Sequence, residues 1–388
     1  MNTNNDDKPP LLLDVRNLSV DYVAAGRPPA RALHQVSFQL RRGEMLGIVG
    51  ESGCGKSTLM LSLMRLLPAA GRIVGGEVYF LGRDLLNLTE NEMADVRWKN
   101  ISMIFQGAMN ALNPVRTIGS QIAEPIARHA IPTSASLLPQ INGAQTNGHQ
   151  PLNGAKPLNP TRTIGNQLTE SIATHEKTSN KAILQRRVDE LLNLVGINPN
   201  RRDQYPHQYA GGMRQRAMIA MALACHPEVV IADEPTTALD VMVQAQILEL
   251  LARLREQLGL SVLFVTHDLG VVAEICDSVL VMYGGVVAEY SGVDTIYNAP
   301  RHPYTQELLK AFPDLTRPSG RLTAIPGYPP RLDALPPGCR FAPRCPAAFA
   351  RCQTNQPPLY AVAQGHTASC FLVEQERNEN ERVTAVTG

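Results

Sequence analysis

Gly50-Glu51-Ser52-Gly53-Cys54-Gly55-Lys56-Ser57-Thr58 fits G-x-x-x-x-G-K-[ST], the spacing of a loop that cradles nucleotide phosphates. Glycines let the backbone N–H groups turn inward on an anion, and a following helix adds the positive end of its dipole. Lys56 is placed to reach the β- and γ-phosphates of ATP, and the Ser57 hydroxyl to ligate Mg²⁺. The flanks agree. Met45-Leu46-Gly47-Ile48-Val49 reads as a buried parallel strand, and Leu59-Met60-Leu61-Ser62-Leu63-Met64 as an apolar-rich helix. A chance glycine-rich turn has no reason to keep strand, loop and helix in register.

A second apolar run, Val229-Val230-Ile231-Ala232-Asp233-Glu234, ends in two carboxylates. It suits a central strand of a parallel sheet, buried on both faces, whose carboxyl end is where ligands bind. Asp233 would hold Mg²⁺ through water, and Glu234 would orient or deprotonate the attacking water. A merely polar strand exit is the plainer alternative, and the phosphate loop upstream argues against it. After Pro235-Thr236-Thr237-Ala238-Leu239-Asp240, a helix is expected from Val243, Ile247, Leu250, Leu251, Leu254 and Leu258, with Gly259 at its end. Ser261-Val262-Leu263-Phe264-Val265 is the next buried strand, followed by Thr266-His267-Asp268. A lone histidine is usually structural, but at this strand end His267 can face the γ-phosphate.

The elements that must position these groups fit one large α/β domain and a smaller extension within 388 residues, of which 44% are hydrophobic, enough for a sizeable core. The sequence has 36 basic and 35 acidic residues and no long basic block, so it carries no electrostatic footprint for nucleic acid. No apolar run reaches the length of a membrane span. The start, Met1-Asn2-Thr3-Asn4-Asn5-Asp6-Asp7-Lys8, is unlike a secretory signal, which leads us to expect a cytosolic chain. The seven cysteines then read as thiols or metal ligands before disulfides. Residues 11–39 read as alternating short strands around the polar turn Ala25-Gly26-Arg27-Pro28-Pro29.

Taken in order, these motifs resemble the ATP-binding subunit of an ABC transporter. Gln106 follows the strand Ile101-Ser102-Met103-Ile104-Phe105, and Tyr209-Ala210-Gly211-Gly212-Met213-Arg214-Gln215-Arg216 stands where the family's signature helix begins. Asp233-Glu234, Ala238-Leu239-Asp240 and His267 complete the series, and Tyr22 lies where the family stacks a ring on adenine. The resemblance implies a P-loop NTPase fold of ABC type: an α/β RecA-like core, an antiparallel β subdomain and an α-helical subdomain. It places ATP on Tyr22, Gly50, Ser52, Gly53, Cys54, Gly55, Lys56, Ser57, Thr58, Gln106 and Asp233, with Ala210, Gly211, Gly212 and Asp240 facing the nucleotide across a dimer. Ser57, Gln106 and Asp233 organise Mg²⁺, Glu234 is the base, and Lys56, His267 and Gln106 complete the catalytic set.

The implied assembly is a head-to-tail homo- or heterodimer with a second ABC ATPase subunit, glued by two ATP molecules. One position departs from the family's Ser-Gly-Gly: Ala210 has no hydroxyl for the γ-phosphate. A charge-assisted bond is worth about 1.5–3 kcal/mol, so in a heterodimer one of the two sites would be impaired; a tolerated substitution is the open alternative. Phe105-Gln106-Gly107-Ala108-Met109-Asn110-Ala111-Leu112-Asn113-Pro114, Pro206-His207-Gln208, Arg301-His302-Pro303-Tyr304-Thr305 and Ile325-Pro326-Gly327-Tyr328-Pro329-Pro330 resemble the oligopeptide, dipeptide and nickel importers. Two transmembrane permease subunits, an extracytoplasmic binding protein and a peripheral place on the cytoplasmic face of the inner membrane follow from that resemblance. The rivals are a soluble ABC ATPase of DNA repair or translation, and a hydrolysis-impaired regulatory subunit. Nickel or glutathione are alternative cargoes to peptides.

The expected organisation is a polar tail over 1–10, the nucleotide-binding domain over 11–320, and an extension over 321–388. Cys339, Cys345, Cys352 and Cys370 are spaced C-x5-C-x6-C-x17-C in that extension, which is too small and irregular to be expected to bury a core. A metal would supply the missing stabilisation, with zinc, an iron–sulfur cluster or free thiols open on chemistry alone. The resembling importers' extension is associated with a [4Fe–4S] cluster. Cys225 and Cys276 are expected to be buried small residues. Within the helical subdomain, about 107–225, residues 112–129 and 158–175 are a duplication with 12 identities in 18 positions. They flank a polar insert at about 130–157, and the pattern does not say which copy packs.

Overall fold

Two β-sheets meet at the phosphate loop. The computed structural model describes residues 9–26, 28–105, 112, 116–128, 181–237, 239–311 and 324–378. One sheet is antiparallel, formed by β1 (Leu11–Tyr22), β2 (Ala30–Arg41), β4 (Gly71–Phe80) and β5 (Arg83–Asp84) in the order β2-β1-β4-β5. The other has a parallel centre made of β3 (Met45–Val49), β6 (Ile101–Ile104), β7 (Val229–Asp233), β8 (Ser261–Val265) and β9 (Ser278–Tyr283). Its full order is β11-β12-β10-β9-β3-β8-β7-β6, with β10 (Val286–Gly292), β11 (Tyr360–Ala363) and β12 (His366–Ala368) antiparallel at one edge.

The central strands β3, β7 and β8 are buried at every position, which is why each reads as an unbroken apolar run. Region 11–39 differs from the short strands expected of it. It forms two strands of 12 residues each, β1 and β2. Register shifts between Leu11 and Leu13, Val15 and Leu18, and beyond break the two-residue alternation that would reveal one long strand. The helix after the phosphate loop, α1 (Lys56–Leu63), begins at Lys56 and is covered by both sheets, so Leu59, Met60 and Leu63 share a core with Val20, Leu33, Ile48 and Met282.

A helical layer covers the other face. After α2 (Glu90–Val96) come α3 (Ile118–Arg128), α4 (Lys181–Leu194) and α5 (Gly211–Ala222), and then α6 (Val241–Leu258) and α7 (Leu269–Ile275). Ile118, Ile122 and Ile126 on α3 recur every four residues and are buried in one cluster with Val188, Leu191 and Leu192 of α4. The first repeat copy therefore packs in the helical layer, whereas the insert and residues 158–175 lie outside the described residues.

The extension is less separate than its composition suggests. β12 pairs with β10 at Glu289–Ala368 and Tyr290–Thr367, and β11 pairs with β12, so the extension completes the edge of the main sheet. An open strand edge offers unpaired N–H and C=O groups, and β12 satisfies them. Phe341 joins the main core, while Ala342, Cys352 and Phe371 form a satellite cluster. The small segment thus borrows its core from the domain it docks on.

Truncating Ile122, 1% exposed, to alanine should cost about 2–5 kcal/mol, since an Ile→Ala cavity in a core seldom collapses fully. Denaturant unfolding of Ile122→Ala checks this, and an unchanged midpoint would mean that the first copy is not docked as described.

Candidate functional site

The phosphate loop leaves β3 and turns into α1 through backbone that only glycine tolerates. Gly50 has φ +151° and a Cβ there would lie 2.2 Å from the Met282 carbonyl oxygen; Gly55 has φ +106° and its Cβ would lie 2.9 Å from that of Ala32. The Lys56 ammonium, 6% exposed, donates to the carbonyls of Gly50 at 2.7 Å and Glu51 at 3.2 Å. Cys54 points into the core between the sheets, and burial raises its thiol pKa. It is a small packing residue and contributes its backbone to the loop. Ser52 and Gly53 are exposed on the outer side of the turn.

Because β3, β8 and β7 are neighbours in a parallel sheet, their carboxyl ends open at one place. Asp233 ends β7, is 5% exposed, and its Oδ1 has no hydrogen-bond partner. Burial raises its pKa, the Ser57 hydroxyl bond lowers it, the Glu234 charge raises it and the Lys56 charge lowers it. The net direction is upward. An orphaned buried carboxylate oxygen beside a serine hydroxyl is the donor set that Mg²⁺ favours, so these residues fit the ion. A cation there would supply chiefly charge neutralisation on transferring phosphate oxygens.

Glu234 follows with φ +46°, a left-handed conformation unusual for a side-chain-bearing residue. Its N–H donates to the Val265 carbonyl at 2.9 Å, which holds the turn against β8. Its carboxylate accepts from Thr237 Oγ1 at 2.9 Å and lies 3.5 Å from His267 Nδ1. The left-handed turn carries Glu234 off the end of β7 and sets its carboxylate between Thr237 and His267. Lys56, Ser57, Asp233, Glu234 and His267 are thus brought to one place.

The remaining expected residues divide. The Tyr22 hydroxyl is 3.4 Å from Thr58 Oγ1, which puts the ring beside the first turn of α1. Ala210 caps α5 with extended backbone and no side-chain bond, and Gly211 and Gly212 open the helix. Gly212 is fixed by packing, because a Cβ there would lie 2.6 Å from Val243 Cγ1. Asp240 caps α6, accepting from the Val243 N–H at 2.9 Å, so its carboxylate has a structural task in the single chain. Gln106 and Ala238 lie outside the described residues.

Two contacts from the extension were invisible in the motifs. The Arg344 side chain, 5% exposed, forms a two-pronged ion pair with Glu51 of the phosphate loop, and Arg340 donates to the Gly284 carbonyl. Gly285 in turn donates to the Cys54 carbonyl at 2.8 Å. Tyr304, fully buried, receives the Glu51 N–H at its hydroxyl at 3.1 Å. Cys339, Cys345, Cys352 and Cys370 line one pocket with His302, Phe341, Phe349 and Phe371. Burial pushes the Cys345 and Cys370 thiols up to about 11, so they stay protonated near neutrality without a cation. Among the described residues no group of three or more His, Cys, Asp or Glu side chains converges on a single metal ion. Cys225 and Cys276 are buried in the main core.

This constellation, on this pair of sheets, defines an ATP-hydrolysing cassette. The chain belongs to the ABC transporter family, whose model matches residues 33–237, and the model described as the oligopeptide/dipeptide transporter C-terminal region matches 288–352. It is 42% identical to the oligopeptide transport ATP-binding protein AppD of Bacillus subtilis, over 95% of this chain and 98% of that protein. It is 39% identical to the dipeptide transport ATP-binding protein DppD of Escherichia coli, over 92% and 96%. Among solved structures, the ATP-binding cassette MJ0796, in a dimeric post-hydrolysis state bound to ADP and Pi, superposes with a TM-score of 0.54 at 25% identity. That match covers 73% of this chain and 99% of MJ0796.

Because the fold raises the Asp233 pKa, its ionised form works against folding, and the stability present at low pH is lost as pH rises through that raised pKa. Asp233→Asn should therefore raise the melting temperature at neutral pH in magnesium-free buffer, while reducing the further rise produced by Mg-ATP. Differential scanning fluorimetry reads both; a lowered melting temperature without Mg-ATP would contradict the buried-carboxylate assignment.

Proposed function

We propose that this chain is the motor of a peptide importer. It binds Mg-ATP with Lys56, Ser57, Thr58 and Asp233, and a second ATPase subunit closes on the nucleotide from across the dimer. Glu234 takes the proton of the attacking water; Lys56 and His267 offset charge on the γ-phosphate as the bond to the β-phosphate breaks. Hydrolysis drives two permease subunits fed by an extracytoplasmic peptide-binding protein, with this chain on the cytoplasmic face of the inner membrane. Among the described residues no helix is long and apolar enough to cross a membrane, which suits a peripheral subunit. The observation that carries the reading is the joining, in one chain, of the nucleotide constellation to a peptide-transporter C-terminal region that touches the phosphate loop through Arg344.

Ala210 makes the pair asymmetric. It caps the signature helix without a hydroxyl, so the site that this chain completes for its partner is the weaker one. Affinity purification from gently solubilised membranes should bring down two permeases and a second, distinct ATPase. Recovery of permeases with this ATPase alone would remove the asymmetry, and recovery without any permease would overturn the importer reading.

The resemblance to the peptide importers' extension supports a [4Fe–4S] cluster on the four extension cysteines, with zinc or free thiols as the alternatives. A single zinc needs four sulfurs at about 2.3 Å from one point, whereas a cluster spreads its thiolates over several irons. The four cysteines line one pocket and offer the four thiolates that such a cluster takes. Anaerobically purified protein should carry about four irons and as many acid-labile sulfides per chain, and Cys370→Ser should lower both. Stoichiometric zinc, or no metal at all, would refute the cluster.

A further inference from the structure

Glu51 is an anion in a loop built to receive a polyanion, and the extension disarms it. Arg344 Nη1 donates to Glu51 Oε2 at 2.7 Å and Nη2 to Oε1 at 3.0 Å. The same guanidinium is itself fixed, donating to the Tyr283 hydroxyl at 3.1 Å, the Pro326 carbonyl at 2.7 Å and the Ile325 carbonyl at 3.3 Å. The rest of Glu51 is equally constrained. Its N–H donates to Tyr304, and its carbonyl accepts from the Cys54 N–H and the Lys56 ammonium, each at 3.2 Å. A rigid fork anchored outside the loop thus ends, through one residue, on the lysine that meets the phosphates.

We propose that Arg344 is a positioning residue of the ATP site. It cancels the Glu51 charge that would repel the nucleotide phosphates, and it holds the Glu51 carbonyl where Lys56 can bridge from loop to phosphate. The C-terminal extension is by this account a working part of the nucleotide site in the same chain. The inference rests on ATP binding at the loop and is independent of the cargo.

The test is equilibrium binding of N-methylanthraniloyl-ATP to the full-length chain, with steady-state hydrolysis alongside. Arg344→Gln should raise Kd and KM roughly tenfold while kcat changes less than about threefold, the pattern of a lost ground-state binding contribution. Arg344→Lys, which keeps the charge and loses the fork, should fall between Arg344→Gln and the native chain. Adding Glu51→Gln to Arg344→Gln should recover most of the affinity, because the uncompensated charge is gone. A purely structural role would instead lower the melting temperature and kcat together, and the second substitution would not restore binding. Native Kd in both Arg344 variants, or a double variant no better than Arg344→Gln, overturns the proposal.

Discussion

The phosphate loop has no room to be anything else. It is wedged between β9, β2 and the turn after β9. A Cβ at Gly50 would strike the Met282 carbonyl, and one at Gly55 or Gly285 would strike the Ala32 carbonyl, at 2.9 Å and 2.3 Å. Two backbone bonds lock the wedge: Gly285 N–H to the Cys54 carbonyl and His34 N–H to the Gly285 carbonyl, both 2.8 Å. Interiors are packed too densely to absorb such overlaps. The start of α1, the direction of Lys56 and the approach of both sheets all follow from this one closure.

Charge is handled with the same economy of space. Lys56 at the start of α1 and Asp233 at the end of β7 are almost fully buried, where desolvation penalises each unless a counter-charge is supplied. The loop carbonyls hold the ammonium, and Ser57 and Lys56 partly compensate the carboxylate. A magnesium–nucleotide complex brings both missing charges at once, negative phosphate for the lysine and a cation for the aspartate. The site is therefore complementary to the pair rather than to either component.

The extension docks by polar contacts as demanding as those of the site. Glu289 on β10 is fully buried and accepts from the Arg301 and His302 N–H groups at 2.7 Å and 3.0 Å, and it pairs with His366 Nε2 at 2.7 Å. Burial pushes the His302 pKa down to about 4 against an opposing hydrogen bond to the Ser369 backbone, so the ring is neutral at physiological pH. A neutral ring leaves Nδ1 free to accept the Tyr304 N–H at 3.0 Å and cap the helix Pro303–Lys310. That cap seats Tyr304 between Tyr283, Phe341 and the phosphate loop. The His-Pro-Tyr sequence is thus a hinge pin joining sheet edge, extension and nucleotide site.

How much of this could be read from the amino acids depends on the range of the contacts. Residues 50–58, Asp233-Glu234 and the buried strands before them are legible because their chemistry is set by neighbours a few positions away. Glycine conformations, strand burial and helix starts all write themselves locally. The long strands β1 and β2 were obscured because bulges interrupt the alternation on which strand recognition relies. The copy of the duplication that packs was undetermined, since both copies carry the same apolar spacing. Arg340, Arg344 and Tyr304 gave no signal of their task, and Arg344 stands 293 positions from the Glu51 it holds. The extension looked like an appendage because an open strand edge on β10 is a property of the assembled sheet. The sequence by itself determined the local chemistry of phosphate and magnesium binding; only the tertiary structure decided what buttresses it, because a buried charge chooses its partner by space and desolvation, not by proximity along the chain.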